Sequence, residues 1–359
     1  MEPVLEKFSK KLKSLNLDGL LISHKENITY LNGFPVCDAY LLFTTKFKKK
    51  KKFGFFITDF RYWQQLKGNL KNFYLKKING SLFDLIVKIS KYLQFKKLGF
   101  ESKYLPYAEY EIIRAGLDPE VEFTPVMDLV ESLREIKSLE EIQNIKNALQ
   151  INIQAFHYAE KNIRLGIQER ELAIRLENFI RKNGAEPAFE IIVAFGENSS
   201  FPHHRSGQRR LSRNDVVLID MGADFKGYKS DLTRVFFLGK IPSIVKKIHS
   251  IVVEAQKRAY SKIKEGVSLK EIDAQARGYI GEKGYRQYFG HALGHGVGLE
   301  IHEAPHLSSK NTGKLKEGMV FTLEPAIYLP HKFGIRIEDM FCLTKKGLEV
   351  LSAGLDKSI

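Results

Sequence analysis

Two cysteines in 359 residues, Cys37 and Cys342, are too few to staple a chain of this length or to build a thiolate zinc cluster, so both are expected to be inert thiols. No run of about 18 apolar residues occurs, which excludes a transmembrane helix. The opening Met1-Glu2-Pro3-Val4 leads into an amphipathic stripe of Leu5, Phe8, Leu12 and Leu15, without the basic start and apolar block of a signal peptide. A cytoplasmic protein is expected. Acidic residues are outnumbered: 42 Asp and Glu against 57 Lys and Arg give a net charge of +15. That excess invites polyanions, yet its densest run, Lys46 to Lys52, lies between the strand-like segments 40–45 and 53–58 and reads as a solvated hairpin tip. Neither nucleic acid nor membrane is therefore expected as a partner. What is present is ordinary globular composition, 43% hydrophobic and 28% charged, on a chain long enough for two domains.

Residues 1–128 alternate helix-like and strand-like segments: the Leu5–Leu15 stripe, Gly19–Ser23, the hairpin 40–58, Phe83–Leu93 and Leu98–Glu101. This is the pattern of an α/β unit. After Pro125 the texture changes. Ser138-Leu139-Glu140-Glu141 has the spacing of a capping box, and Ile142, Ile145, Leu149, Phe156 and Ile163 follow at helical intervals, so a long helix opens a second domain over 129–359. Within it, a segment repeats at an offset of one hundred residues. Ile163, Gly166, Ile167, Glu171, Leu172, Gly184 and Phe189 overlay Ile263, Gly266, Val267, Glu271, Ile272, Gly284 and Phe289. Both copies read as helix, glycine turn, helix, glycine terminator, with Gly166 and Gly266 suited to positive φ and Gly184 and Gly284 to a helix C′ position.

Each copy precedes an acid-bearing strand pair. With Lys226-Gly227 at a two-residue tip, residue 225 faces 228 and 220 faces 233, so Asp231 is the same-face diagonal neighbour of Asp220, at a Cα separation of roughly 7–8 Å. In the second pair, an odd loop centred near His331 sets Glu324 opposite Glu338; an even loop would turn one acid to the far face. Crowded carboxylates repel and acquire raised pKa values unless cations neutralise them. For either hairpin alone, surface acids paired with Lys and Arg are the simpler explanation. The intervening stretch shifts the balance: His291, His295 and His302, interleaved with Gly290, Gly294, Gly296 and Gly298, suit neither a helix nor an ordinary core. Oxygen-rich ligation with one imidazole suits Mn²⁺, Co²⁺, Fe²⁺ or Zn²⁺.

Residues 132–352 resemble the pita-bread metallopeptidases, in particular aminopeptidase P and prolidase. The carrying motifs are Leu133-Arg134-Glu135-Ile136-Lys137-Ser138, Asn198-Ser199-Ser200-Phe201-Pro202-His203, Asp220-Met221-Gly222, Ser230-Asp231-Leu232-Thr233-Arg234, Gly294-His295-Gly296-Val297-Gly298, His302-Glu303, Glu324-Pro325 and Arg336-x-Glu338-Asp339. Residues 28–34 and 58–62 are similar, more weakly, to the creatinase/prolidase N-terminal domain. The resemblance implies an α+β pita-bread catalytic domain with an internal pseudo-twofold behind a smaller α/β domain, hydrolysis of Xaa-Pro bonds in peptides with proline second, and a homodimer. It also implies two divalent ions, manganese foremost. Asp231 and Glu338 would bridge them, with Asp220 completing one and His295 and Glu324 the other. Glu324 would handle the proton, His203, His291 and His302 would serve proton transfer, the oxyanion and the proline pocket, and Arg336 would hold the site's anions. His204-Arg205 after His203 is bulkier than the pattern expects. Creatinase-type amidinohydrolysis and methionine aminopeptidase fit these motifs less well, and a non-catalytic pita-bread protein binding RNA or protein through its basic surface is the alternative.

Overall fold

In the computed structural model, which describes residues 2–33, 35, 38–47 and 52–358, the N-terminal strands form one six-stranded sheet. Its order is 74–77, 54–58, 40–44, 19–22, 97–101, 122–126. Strand side chains alternate in direction, so Leu20 and Ile22 enter a core with Leu5 and Phe8 of the first helix, while Leu21 joins Ile86, Ile89 and Ile113 on the other face. Helices Glu2–Ser14 and Leu82–Tyr92 therefore cover opposite sides. Of the basic run, Lys46 pairs with Asp18 at 2.8 Å and Lys52 donates to the carbonyls of Leu70, Lys71 and Phe73. Residues 48–51, like Cys37, lie outside the described residues. The compact units are Met1–Leu133 and Arg134–Ile359. The boundary falls beyond 128/129 because Leu129, Val130 and Leu133 pack into the first unit's core.

The second unit opens on the helix Leu139–Asn162, and both bonds of its Ser138–Glu141 capping box are made. The sequence repeat is a structural one. Helices Leu139–Asn162 and Glu169–Lys182 correspond to Ser243–Tyr260 and Leu269–Glu282. Gly166 and Gly266 have φ of 78° and 81°, and Gly184 and Gly284 have 81° and 84°. No neighbour would touch a Cβ at any of the four, so it is backbone conformation, not space, that demands glycine there. The pairing repeats too: Gly166 N–H donates to Leu211 and Leu211 to Ile167, as Gly266 donates to Leu315 and Leu315 to Val267. The strand Val216–Met221 lies between the halves, with Val217 and Ile219 packed in the first helix pair's core and Val216 and Leu218 in the second's. This is the α+β pita-bread arrangement expected from the resemblance. Cys342 is buried, which pushes its thiol up to about 11 and leaves it unreactive. Among the described residues, no helix is long and apolar enough to cross a membrane.

Candidate active site

Turn parity delivers the acids. Lys226 and Gly227 have φ of 54° and 87°, Phe225 faces Tyr228, and Thr233 faces Asp220. The second hairpin turns about His331, at φ 58°, pairing Leu329 with Phe333 and Ala326 with Arg336. The turn is tight, since a strand resumes at Phe333. The same register continues where Leu323 faces Asp339, so Glu324 and Glu338 sit level between two stretches of ladder. Neither pairs with the other. Glu324 N–H donates to Leu293 and Glu338 N–H to Thr233, and the latter bond joins the two halves.

The glycine-rich stretch supplies the imidazole. Strand Gly294–Gly296 runs between Glu303–Leu307 and Val320–Leu323, where a side chain at Gly294 would strike the Thr322 carbonyl and one at Gly296 that of Ala304. Close backbone approach is the reason for glycine here. His295 donates from Nδ1 to the Gly296 carbonyl at 3.1 Å, because a carbonyl only accepts. That leaves its Nε2 lone pair facing Glu324 Oε1 at 3.4 Å and Asp231 Oδ2 at 3.6 Å.

The structure brings all five residues together in two sets that share one member. Ligand atoms of Asp220, Asp231 and Glu338 lie within 4.8 Å of one another, as do those of His295, Glu324 and Glu338. The electrostatics ask for cations. Burial, then repulsion from Glu338 and other acids of the cluster, raises Asp231 and Glu324 well above the carboxylate range. Burial and Asp220 push Glu338 up to about 8. Burial, then the neighbouring His302, lowers His295 to about 3, keeping its imidazole neutral as a ligand must be. Oδ1 of Asp220 and Oδ1 of Asp231 are buried without a hydrogen-bond donor among the described residues. Orphaned oxygens, raised acids and a neutral imidazole with a free lone pair fit divalent ions.

These groups open into a cavity of about 1050 Å³ whose lining includes His203, His291, His302, Arg336 and Tyr328. Arg336 donates to Asp220, Tyr328 and, at 3.0 Å, Thr233 Oγ1. Thr233 in turn donates to Glu338 Oε2 at 2.7 Å. Tyr328 Oη lies 3.3 Å from Nε2 of His291, whose Nδ1 is 2.8 Å from the Ala292 carbonyl, and burial lowers His291 to about 4. The His302 ring stands edge-on to His295 at 4.3 Å. Sequence reasoning assigned no role to Thr233 or Tyr328, although both lie on faces that hairpin parity defines.

Two buried ionic clusters support the site from behind. Arg234 donates to the carbonyls of Thr233 and Glu338 and to Asp339, clamping the two halves. Arg134 and Lys137 bind Glu303, next to His302, which gives the Arg134-to-Lys137 motif a physical purpose. Thr233→Val keeps the shape but removes both bonds of the threonine. We expect kcat/KM to fall roughly tenfold while thermal denaturation shows a folded protein, since a lost hydrogen bond to a charged group costs about 1.5–3 kcal/mol.

A cluster of buried carboxylates and imidazole on a duplicated α+β scaffold defines a metallopeptidase. The chain belongs to metallopeptidase family M24, whose model matches residues 143–345, behind a creatinase/prolidase N-terminal domain matched over residues 5–136. The Xaa-Pro dipeptidase of Pyrococcus horikoshii is 37% identical, over 98% of this chain and 97% of that protein. The solved Xaa-Pro dipeptidase from Bacillus anthracis superposes with a TM-score of 0.93 at 38% identity, covering 99% of this chain and 98% of the other. An X-Pro aminopeptidase from Thermotoga maritima superposes at 0.87 with 37% identity, covering 98% and 99%. Divalent metal ions are the cofactor of this class.

Proposed function

We propose that the protein is a dinuclear-metal peptidase that hydrolyses Xaa-Pro bonds in short peptides with proline second, as an Xaa-Pro dipeptidase or Xaa-Pro aminopeptidase. The observation that carries this is the pair of ligand sets sharing Glu338, opening on a cavity lined by three histidines. Asp220, Asp231 and Glu338 would hold one ion. His295, Glu324 and Glu338 would hold the other, with Asp231 within reach of both. Manganese(II) is the proposed ion because hard oxygen donors dominate, with cobalt, zinc and iron(II) as competitors. Bound there, the ion pair supplies a nucleophilic water near neutral pH and polarises the scissile carbonyl.

The chain's own groups do the rest. Glu324 takes the proton of the attacking water and returns it to the proline nitrogen, which must be protonated to depart as an amine. His302 and His203 donate hydrogen bonds to the developing oxyanion and border the proline ring. His291 holds its place through Tyr328 and Arg336, and Arg336 orients Asp220 by donating to it. The proposal includes a cytoplasmic location, consistent with the scarcity of cysteine, and a homodimer.

The alternative of a non-catalytic protein acting through its basic surface is not supported: Asp220, Asp231, His295, Glu324 and Glu338 lie close enough to hold ions, and the relatives above are peptidases. The test uses the full chain treated with chelator. Hydrolysis of Ala-Pro should vanish and return on adding Mn²⁺ or Co²⁺, with elemental analysis finding two ions per chain. Full activity in excess chelator, with no metal bound, would overturn it.

A further inference from the structure

The cavity that holds the acid cluster runs from buried groups at one end to exposed side chains at the other. Its inner end carries Asp220, Asp231, Glu324 and Glu338. Its outer wall carries the exposed His203, Arg205 and His306. A peptide whose scissile carbonyl reaches the inner end leaves its C-terminal carboxylate toward the exposed wall, where that charge calls for a cation.

Only two permanent cations line the cavity among the described residues, Arg336 and Arg205. Arg336 is buried and committed to Asp220, Thr233 and Tyr328. Arg205 forms no hydrogen bond or ion pair with any described residue, and Glu190 on the same wall lies beyond ion-pair distance. An arginine without a partner, on the wall of a substrate cavity, is free to meet an anion bidentately.

A buried carboxylate helps to hold the loop bearing Arg205, beside the bonds of Ser206 to Val193 and Ile191. Glu169, with no exposed surface, accepts from Phe195 N–H at 2.8 Å, Asn198 Nδ2 at 2.9 Å, Gly207 N–H at 3.0 Å and His204 Nε2 at 2.8 Å. His204, the first departure from the expected pattern, thus fastens the loop to the helix Glu169–Lys182. Its neighbours His203 and Arg205 are left on the cavity wall. The two departures act together, one as anchor and the other as the group presented.

We propose that Arg205 receives the C-terminal carboxylate of the peptide substrate, making it a specificity residue at the outer end of the site; this rests on the Xaa-Pro peptidase function proposed above. The carboxylate belongs either to a dipeptide, directly beyond the proline, or to a tripeptide one residue further along. A second groove of about 720 Å³ shares Arg205, Phe189 and Glu190 with the cavity and gives a longer chain somewhere to go.

The experiment measures kcat/KM of the manganese-loaded protein on Ala-Pro and Ala-Pro-Gly, each as free acid and as C-terminal amide. One length should show a preference for the acid of about tenfold or more, as expected for a charge-assisted bidentate contact. Arg205→Gln should bring that ratio to within about twofold, chiefly through KM, and Arg205→Lys should restore part of it because the charge survives without the fork. The length whose ratio depends on Arg205 identifies the substrate class. An acid-to-amide ratio unchanged in Arg205→Gln at both lengths overturns the assignment. Absence of hydrolysis of all four peptides overturns the peptidase function itself, and this inference with it.

Discussion

Asp231→Asn should lower kcat/KM for an Xaa-Pro substrate by about 10³-fold or more and reduce bound metal below two ions per chain. Asp231 presents Oδ2 to His295 at 3.6 Å, and its Oδ1 is buried without a donor among the described residues, so both oxygens are available to cations. Asparagine has the same shape, yet it removes a charge and turns one ligand oxygen into an N–H₂ group that cannot ligate. The stability readout separates this from a merely structural acid. Asp231 is strained by burial and by Glu338, Asp220 and Glu324, so the neutral amide should leave the metal-free protein at least as stable as the parent. Activity within tenfold of the parent, at unchanged metal content, would refute the ligand role.

Metal removal should also reverse the pH dependence of stability. Asp231, Glu324 and Glu338 have folded pKa values raised above their unfolded ones, so the folded, metal-free chain holds protons more tightly than the unfolded chain. Their contribution is fully present below the ordinary carboxylate range and is lost as pH rises toward the value of about 8 reached by Glu338. Between about pH 5 and pH 8 the chelated protein should lose roughly 5–10 °C in Tm, and Mn²⁺ should abolish the loss by neutralising the same carboxylates. More acid conditions remove a different contribution. Glu303, beside Lys137 and Arg134, and Asp339, beside Arg234 and Lys357, are held below the usual range despite burial, and protonating them breaks those pairs. A chelated protein whose Tm is flat or rises from about pH 5 to about pH 8 would contradict the crowding of the cluster.

Several features of the site were open to local rules. A two-residue tip at Lys226-Gly227 and an odd turn about His331 are parity arguments, and parity alone places Asp231 diagonal to Asp220 and Glu324 level with Glu338. The same arithmetic could have found two residues it passed over. Thr233 faces Asp220 directly, and Tyr328 pairs with Gly334, one diagonal step from Arg336. Both lie within hydrogen-bonding reach of the cluster because they share its faces. His204 was recognisable as a departure but not as an anchor, since Glu169 lies far from it in the chain and no short-range period connects them.

The sequence by itself determined the repeat and, for a given turn length, the pairing of the acids, because strand alternation, turn length and the positive φ of glycine act over a few residues; only the family resemblance singled out His295 among the three histidines. Only the tertiary structure decided that Glu338 belongs to both ligand sets. That depends on the bond from Glu338 N–H to Thr233, on the Arg234 clamp behind it and on Gly294 lying flat against Thr322. These contacts join segments that nothing local brings together; packing of the two helix pairs about the shared strand does so.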